Sequence, residues 1–181
     1  MFPLSSVVKQ TLGLQPVLRT DSERSVWSFI HEEQEQQVRL GDKRLNNIAA
    51  LTYNADTSGR IFAILELCLD PQKKTWSALH RSILIVHTVL LYGSPNSVDT
   101  CIQMSIYIGR LLNYNSATFS TFSRGIDLGA PVRQASAGIV RLRAACRQIW
   151  HRCNGVYMHA CLRSCMPSHL LPCPCPPLLL L

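Results

Sequence analysis

The apolar positions between residues 73 and 94 predict a helix that is buried on nearly all of its sides. Spacings of three and four residues define one continuous helical face, formed by Trp76, Leu79, Ile83, Val86 and Leu90. The remaining faces of the second half are covered by Leu84, Ile85, Val89 and Leu91. A helix that is apolar all round belongs in the middle of a bundle, and the run Gly93-Ser94-Pro95-Asn96 predicts where this one ends.

Helical periodicity continues on both sides of this segment. The pattern predicts helices over residues 42–54, 59–70 and 97–114, the last with Ser97 as its N-cap. A polar loop over 115–130 is followed by a helix that starts at Pro131. The predicted inward positions are Leu45, Ile48, Ala49 and Thr52, then Val98, Ile102, Ile106 and Gly109, and finally Val132, Ala135, Ile139 and Leu142. No stretch of comparable length alternates as a strand would, so we expect an all-α domain of successive antiparallel helices.

Charge and cysteine usage separate the end of the chain from the rest. Residues 143–181 contain four arginines and no acidic residue, whereas residues 1–142 contain 14 basic and 11 acidic residues. Six of the eight cysteines also lie in the last 36 positions, while Cys68 and Cys101 stand within apolar helical patterns that are typical of core positions. This distribution differs from that of a disulfide-stabilised secreted domain. Without a convincing secretory signal or an apolar run of about 20 residues, we predict a cytosolic, reduced protein.

Motifs for catalysis and metal binding are missing from the sequence. There is no HExxH, GxSxG, P-loop or glycine-rich dinucleotide motif. His80 and His87 lie seven residues apart without a third ligand, which favours packed or hydrogen-bonded side chains over a metal site. The CxxxC and CxC spacings of the tail do not match the CxxC pairs of common structural zinc sites. We therefore predict a non-enzymatic protein without metal, cofactor or small-molecule substrate.

Four segments occur in the order found in one family of helical domains. They are IAALTYN at 48–54, LDPQKKTWSALHRSILIVHTVLLYGS at 69–94, IYIGRLLNY at 106–114 and GAPVRQASAGIVRL at 129–142. Together they resemble the epsin N-terminal homology (ENTH) domain, and IVHTVLLYG is also similar to the related AP180-type (ANTH) domain. The resemblance implies a right-handed, VHS-like superhelix of about seven to eight antiparallel helices.

The same resemblance divides the chain into three parts. Residues 1–16 are apolar with a single cation, Lys9, and correspond to a segment that folds into a helix on the membrane in this family. Residues 17–142 correspond to the helical domain. Residues 143–181 form a basic, Cys/Pro-rich tail that is atypical of the family and that we expect to be partly helical or poorly ordered.

Members of this family bind phosphoinositide headgroups, and the resemblance implies four cationic contacts in this chain. Lys74 falls at a family headgroup lysine, and Lys73 stands beside it. Arg19 falls at a family headgroup arginine, and Arg24 replaces an asparagine ligand. Lysine and arginine suit this role because they donate charge-assisted hydrogen bonds to phosphate oxygens.

The resemblance implies a peripheral adaptor of clathrin-mediated endocytosis or of endosomal or Golgi vesicle formation. Such a protein would lie on the cytoplasmic side of the plasma membrane, endosome or Golgi vesicles, with clathrin-adaptor or SNARE proteins as further partners. Two family ligands, an arginine and a histidine, are replaced by Cys68 and Ala78. This loss favours an alternative, a helical protein-interaction module that binds SNARE or cargo segments without specific lipid binding. Nucleic-acid binding by the basic tail is suggested by charge alone and lacks a recognised fold, so it is not predicted.

Overall fold

Seven α-helices make up the part of the chain that the structure, a computed structural model, describes: residues 18–32, 38–119 and 125–153. They are α1 (Asp21–His31), α2 (Lys43–Leu51), α3 (Ala55–Cys68), α4 (Trp76–Tyr92), α5 (Pro95–Gly109), α6 (Ser116–Phe119) and α7 (Ala130–Cys153), with a 3-10 helix over Arg110–Asn113. The described ranges contain no strand, and the predicted all-α fold is confirmed. The predicted N-terminal segment 1–16 and the tail beyond Cys153 lie outside these ranges.

Polar side chains at the N-caps fix where the first four helices begin. Thr20 and Glu23 form a reciprocal capping box at α1. Asp42 accepts a hydrogen bond from the backbone of Arg44 at 2.8 Å at the start of α2. Asn54 and Thr75 make the equivalent side-chain bonds at α3 and α4, so each of these helices starts at a residue that satisfies a free backbone N–H.

Helix α4 is the axis of the domain. It contacts α1, α2, α3, α5 and α7, and every residue from 81 to 91 is buried. Leu79, Ile83 and Val86 are completely shielded from solvent, as the sequence pattern predicts. Gly93 ends the helix, with its N–H bonded to the carbonyl oxygen of Val89 at 2.9 Å. The central position predicted for this helix is therefore confirmed.

The two cysteines predicted to be core residues are buried free thiols. Cys68 ends α3 and Cys101 lies in α5, and both are fully shielded from solvent. Burial raises the pKa of the Cys68 thiol to about 11, because the thiolate would lose its hydration. Both side chains therefore act as small apolar core groups.

Helix α5 begins earlier than predicted, and its predicted inward face is correct at Val98 and Ile102 but wrong at Ile106. It starts at Pro95 with Ser94 as N-cap, so the prediction of Ser97 as N-cap was wrong. Proline is favoured at the first helical position because its missing N–H has no partner there in any helix. The predicted inward residue Ile106 is 49% exposed, whereas Cys101 and Ile108 are fully buried.

The predicted loop before the last helix contains α6 and is held by one carboxylate. Asp127 accepts hydrogen bonds from the backbone of Ser116 at 3.1 Å and of Gly129 at 2.9 Å. It also pairs with the Arg133 guanidinium at 2.8 Å. Helix α7 then starts at Ala130 and continues past residue 142 to Cys153. Its predicted inward residues Val132, Ala135, Ile139 and Leu142 all pack in or against the core.

His87 is a buried imidazole in the middle of α4. It is 6% exposed, and a Cβ atom at Gly138 of α7 would lie 3.5 Å from its Cε1 atom, so the two helices pack closely here. Among the described residues, its Nε2 atom has no hydrogen-bond partner. Burial lowers the pKa of His87 to about 4, because a charged ring cannot be solvated at this contact.

Replacing Gly93 with alanine is expected to destabilise the chain. The added Cβ would lie 2.6 Å from the Val89 carbonyl oxygen and 3.0 Å from Thr52 Oγ1, so the corner between α4 and α5 must shift. We expect the free energy of unfolding, measured in urea, to fall by about 1–3 kcal/mol. Gly59→Ala is the control: nothing lies within 4 Å of its Cβ position inside α3. That change should be neutral or stabilising by up to about 1 kcal/mol, and equal losses in both variants would contradict the steric explanation.

Acid should destabilise the native chain through His87. The unfolded chain binds this proton near the ordinary histidine pKa of 6.5, whereas the folded chain binds it only near 4. The stabilisation is therefore complete above pH 6.5 and is lost as the pH falls towards 4, by about 3 kcal/mol. Urea unfolding across this window should show a shallower pH dependence for His87→Leu than for wild type. An identical slope in the two proteins would place the acid sensitivity at other groups, such as His31 and His80, whose pKa values burial also lowers.

Candidate functional site

Lys74 directly precedes Thr75, the N-cap of α4, and contacts the side chains of two α1 residues. We call this N-terminal end of α4, with Lys73 and Lys74, the mouth of α4. Its Nζ atom is 4.7 Å from the centre of the Trp27 ring, a distance at which the ring face attracts a cation. The same atom is 3.1 Å from Nε2 of His31. Lys74 is half-buried, and among the described residues no carboxylate lies within ion-pair distance of it. It is therefore a positioned cation whose charge is not compensated by these residues.

His31 is held in one orientation by two contacts with Trp27. The two rings stack with their centroids 3.9 Å apart, and Nδ1 of His31 is 3.1 Å from the backbone carbonyl oxygen of Trp27. Because a carbonyl oxygen can only accept, we infer that Nδ1 carries the hydrogen. Nε2 of the neutral ring is then an acceptor and receives a hydrogen bond from the Lys74 ammonium. Burial, followed by the charge of Lys74, lowers the pKa of His31 despite the opposing bond to Trp27.

The other predicted cations are more exposed. Lys73 precedes Lys74 in the same turn, and its Nζ lies 3.5 Å from Asp70. Arg24 pairs with Asp21 at 3.1 Å and has a side chain that is 60% exposed. Three and seven residues separate Arg24 from Trp27 and His31, so helical spacing places all three on one face of α1.

Arg19 lies at the opposite end of α1 from the Lys74 contact. It is exposed and precedes the N-cap, and twelve residues separate it from His31. That separation corresponds to roughly 18 Å along a helix axis. The contacts of Lys74 are with Trp27 and His31, so the part of Arg19 in the same site stays a prediction.

The positions at which family ligands are replaced face the core. Cys68 and Ala78 are 0% and 2% exposed. Neither can present a polar group to a ligand at the surface. The cationic character of the mouth of α4 therefore depends on Lys73, Lys74 and side chains from α1.

A buried guanidinium holds the end of α1 in place. Arg81 of α4 donates hydrogen bonds to the backbone carbonyl oxygens of Phe29 at 3.0 Å and of Glu32 at 2.7 Å. Glu32 in turn pairs with Arg44 of α2 at 2.7 Å. Because Arg81 binds carbonyl groups on both sides of His31 in the chain, it fixes the position of the imidazole. The sequence prediction did not include His31, although its position four residues after Trp27 places both rings on one helical face.

Removing the Lys74 charge is expected to raise the pKa of His31. Lys74→Met keeps an apolar stem beside Trp27 but removes the positive charge that disfavours imidazole protonation. The pKa can be measured from the pH dependence of the His31 ring signals in NMR spectra. Lys73→Met is the control, because that lysine pairs with Asp70 and should leave the titration of His31 in place. Equal shifts in both variants would contradict a direct contact between Lys74 and His31.

Comparison with known structures places the fold among ENTH domains. The yeast Ent2 ENTH domain is 17% identical with a TM-score of 0.62, and the match covers 81% of this chain and 98% of that chain. The human epsinR ENTH domain is 18% identical with a TM-score of 0.56, covering 70% and 89%. The ENTH domain from epsin-2 in complex with phosphatidylinositol 4,5-bisphosphate is 17% identical with a TM-score of 0.60, covering 76% and 92%.

The sequence itself carries the family signature over most of the described helices. The family model of the ENTH domain matches residues 32–148, a range that begins just after α1. A comparison with curated protein sequences finds no match. Structural likeness at these identities shows the fold, and the family model matches more than half of the residues. This chain belongs to the ENTH domain family.

Proposed function

We propose that this chain is a peripheral membrane adaptor module of the epsin type that binds phosphoinositide headgroups at the mouth of α4. The observation that carries the proposal is Lys74, a half-buried cation held against Trp27 and His31 without a carboxylate partner among the described residues. ENTH domains are adaptor modules and not enzymes. One of the similar structures is an ENTH domain in complex with phosphatidylinositol 4,5-bisphosphate.

The charge of Lys74 makes the mouth of α4 suitable for a phosphate group. A hydrogen bond from the ammonium to a phosphate oxygen joins two charged groups and is therefore stronger than the bond to the neutral His31 ring that it would replace. Lys73 and Arg24 are paired with aspartates at exposed positions, where an ion pair contributes little. Both side chains can therefore turn towards a headgroup at small cost.

Arg19 contributes in a different way under this proposal. It is an exposed cation just before the N-cap of α1, at the other end of that helix from His31. A cation near an anionic leaflet gains about 1 kcal/mol from the surface potential. With Cys68 and Ala78 buried, we expect binding to depend on the general negative charge of the membrane as well as on the headgroup.

The same family relationship supports a proposal for the cellular process. Similar structures include an endocytic adaptor complex and ANTH and ENTH tubules on membranes containing PI(4,5)P2. We propose that this chain acts at the cytoplasmic surface of the plasma membrane, endosome or Golgi vesicles in clathrin-linked vesicle formation. Within the described ranges, none of the helices combines the length and the apolar character needed to cross a bilayer.

The second candidate, a protein-interaction module, is supported by exposed side chains where α5 ends and the 3-10 helix begins. Ile106 and Tyr107 are each about half exposed, and the Arg110 guanidinium lies 5.5 Å from the centre of the Tyr107 ring. An aromatic and an arginine beside an aliphatic side chain are typical of interface contacts. SNARE or clathrin-adaptor segments are the partners that this alternative proposes. Binding of such segments in the absence of lipid, lost in Ile106→Asp and kept in Lys74→Ala, would support it.

Co-sedimentation of the full chain with vesicles tests the leading proposal. Wild type should pellet with phosphatidylcholine vesicles that contain a phosphoinositide and should stay in solution with vesicles that lack it. Lys74→Ala should reduce binding at least about tenfold, the usual cost of about 1.4 kcal/mol or more for losing a charge-assisted contact.

Arg141→Ala is the matched control for this experiment. It removes one exposed positive charge from α7, three residues from Gly138, which packs against His87 far along α4 from Lys74. Its binding should stay within about twofold of wild type, because a remote surface charge contributes only screened attraction. Equal losses in both variants, with circular dichroism showing folded proteins, would reject a specific site at Lys74. No binding by wild type would reject the proposal as a whole.

A further inference from the structure

The mouth of α4 has an unusual balance of fixed charges. Lys73 and Arg24 are each paired with an aspartate, at 3.5 and 3.1 Å. Lys74 has no such partner within the described part of the chain, and its nearest polar contact is the acceptor nitrogen of His31. The cluster therefore presents one uncompensated charge, and a second one becomes available if His31 takes up a proton.

His31 is placed to use that proton on a ligand. Its Nε2 atom lies 3.1 Å from Lys74 Nζ, so an anion that contacts the ammonium would also lie near the imidazole edge. Nδ1 is already occupied by the Trp27 carbonyl oxygen. Protonation therefore occurs at Nε2 and turns it from an acceptor for Lys74 into a donor towards the anion.

We propose that Lys74 and His31 together form a subsite for one phosphomonoester dianion, and that His31 takes up a proton from solvent as the phosphate binds. This inference rests on the proposed function and narrows its ligand class to headgroups in which a single phosphate is sufficient. Two positive charges on Lys74 and His31 match the two negative charges of the phosphomonoester. The ligand chemistry is common to a monophosphorylated inositol lipid and to a soluble inositol monophosphate.

The other charged groups packed around His31 are paired with one another. Arg81 of α4 and Arg44 of α2 both lie within ion-pair distance of Glu32, the residue that follows His31, and Arg44 also pairs with Asp42. From the end of α3, the neutral thiol of Cys68 faces the Lys74 charge. In the turn that follows α3, Lys73 forms an ion pair with Asp70. The neighbouring fixed charges thus supply no free carboxylate among the described residues, and the lowered pKa of His31 agrees with this arrangement.

A second phosphate on the headgroup should add little. The remaining cations near the mouth, Lys73 and Arg24, are exposed and are already paired. Exchanging such a pair for another exposed pair changes affinity by less than about fivefold. We therefore expect vesicles with a phosphatidylinositol monophosphate and vesicles with a bisphosphate to bind similarly when their total charge is matched with phosphatidylserine.

Calorimetry of the full chain measures directly how many protons are taken up on binding. Titrations with phosphatidylinositol monophosphate vesicles, in two buffers of different ionisation enthalpy, give the number of protons taken up on binding. Between about pH 8 and 6.5, wild type should take up protons and its affinity should rise by up to tenfold per pH unit. This window lies above the second pKa of a phosphomonoester, about 6, so the ligand itself stays mostly dianionic.

Two substitutions of His31 separate protonation from folding. His31→Gln keeps a neutral polar side chain and should bind more weakly, with no proton uptake and a flat pH profile. His31→Lys carries a permanent charge and should bind at least as tightly as wild type at the upper end of the window, also without proton uptake. Titration with soluble inositol monophosphate should show the same uptake if the phosphate group alone is recognised. Uptake seen only with vesicles would assign the ligand to the lipid.

The outcomes distinguish this inference from the function on which it rests. Lys74-dependent vesicle binding without proton uptake, or with uptake retained in His31→Gln, would overturn the role of His31 and leave membrane binding in place. A preference of more than tenfold for the bisphosphate at matched vesicle charge would overturn the single-phosphate subsite. Failure of wild type to bind any phosphoinositide vesicle would overturn both.

Discussion

The burial of α4 is the constraint on which the rest of the domain depends. Five other helices pack against it, so its side chains set the position of each of them. Arg81 is the charged exception within this buried stretch and is 4% exposed. Its guanidinium is satisfied by two carbonyl oxygens near the end of α1 and by the nearby Glu32 carboxylate. A buried charge without such partners would be strongly destabilising, so α1 can dock on α4 in only one register.

That register also builds the candidate site. Trp27 and His31 lie on the turns of α1 that Arg81 holds against α4, and Lys74 comes from the turn before α4. The three side chains are brought together by packing that exists before any ligand arrives. A preorganised site loses little conformational freedom on binding, which matters most when few ligand contacts are available. The same packing therefore stabilises the core and also holds the few cations of the candidate site in place.

The sequence predicts the fold well where the apolar positions fit only one arrangement of the helix. Helix α4 is apolar on all sides, and the inward face of α7 follows a single period, so both were identified correctly. The start of α5 was missed because Ser94 and Ser97 are both acceptable N-caps locally. The choice is made by Pro95 and by a tertiary contact, since Ser97 is buried and its Oγ bonds to Ser94 at 2.7 Å and to Ser58 at 3.1 Å. Such a contact between distant residues leaves no periodic signal.

Prediction of the candidate site from the sequence was limited in the same way, because its contacts also join distant residues. Comparison by position identifies Lys74 and shows that Cys68 and Ala78 have lost family ligand types, which by itself suggests a weakened site. The structure adds a histidine from α1, 43 residues away in the chain, that contacts Lys74 directly. Because Cys68 is buried and its thiol stays protonated, this residue supplies no charge beside Lys74. Among the described residues in direct contact with Lys74, His31 is the titratable group that can carry a second positive charge. The charges that surround Lys74 in the fold are thus a better guide to a candidate site than the residues at family positions alone.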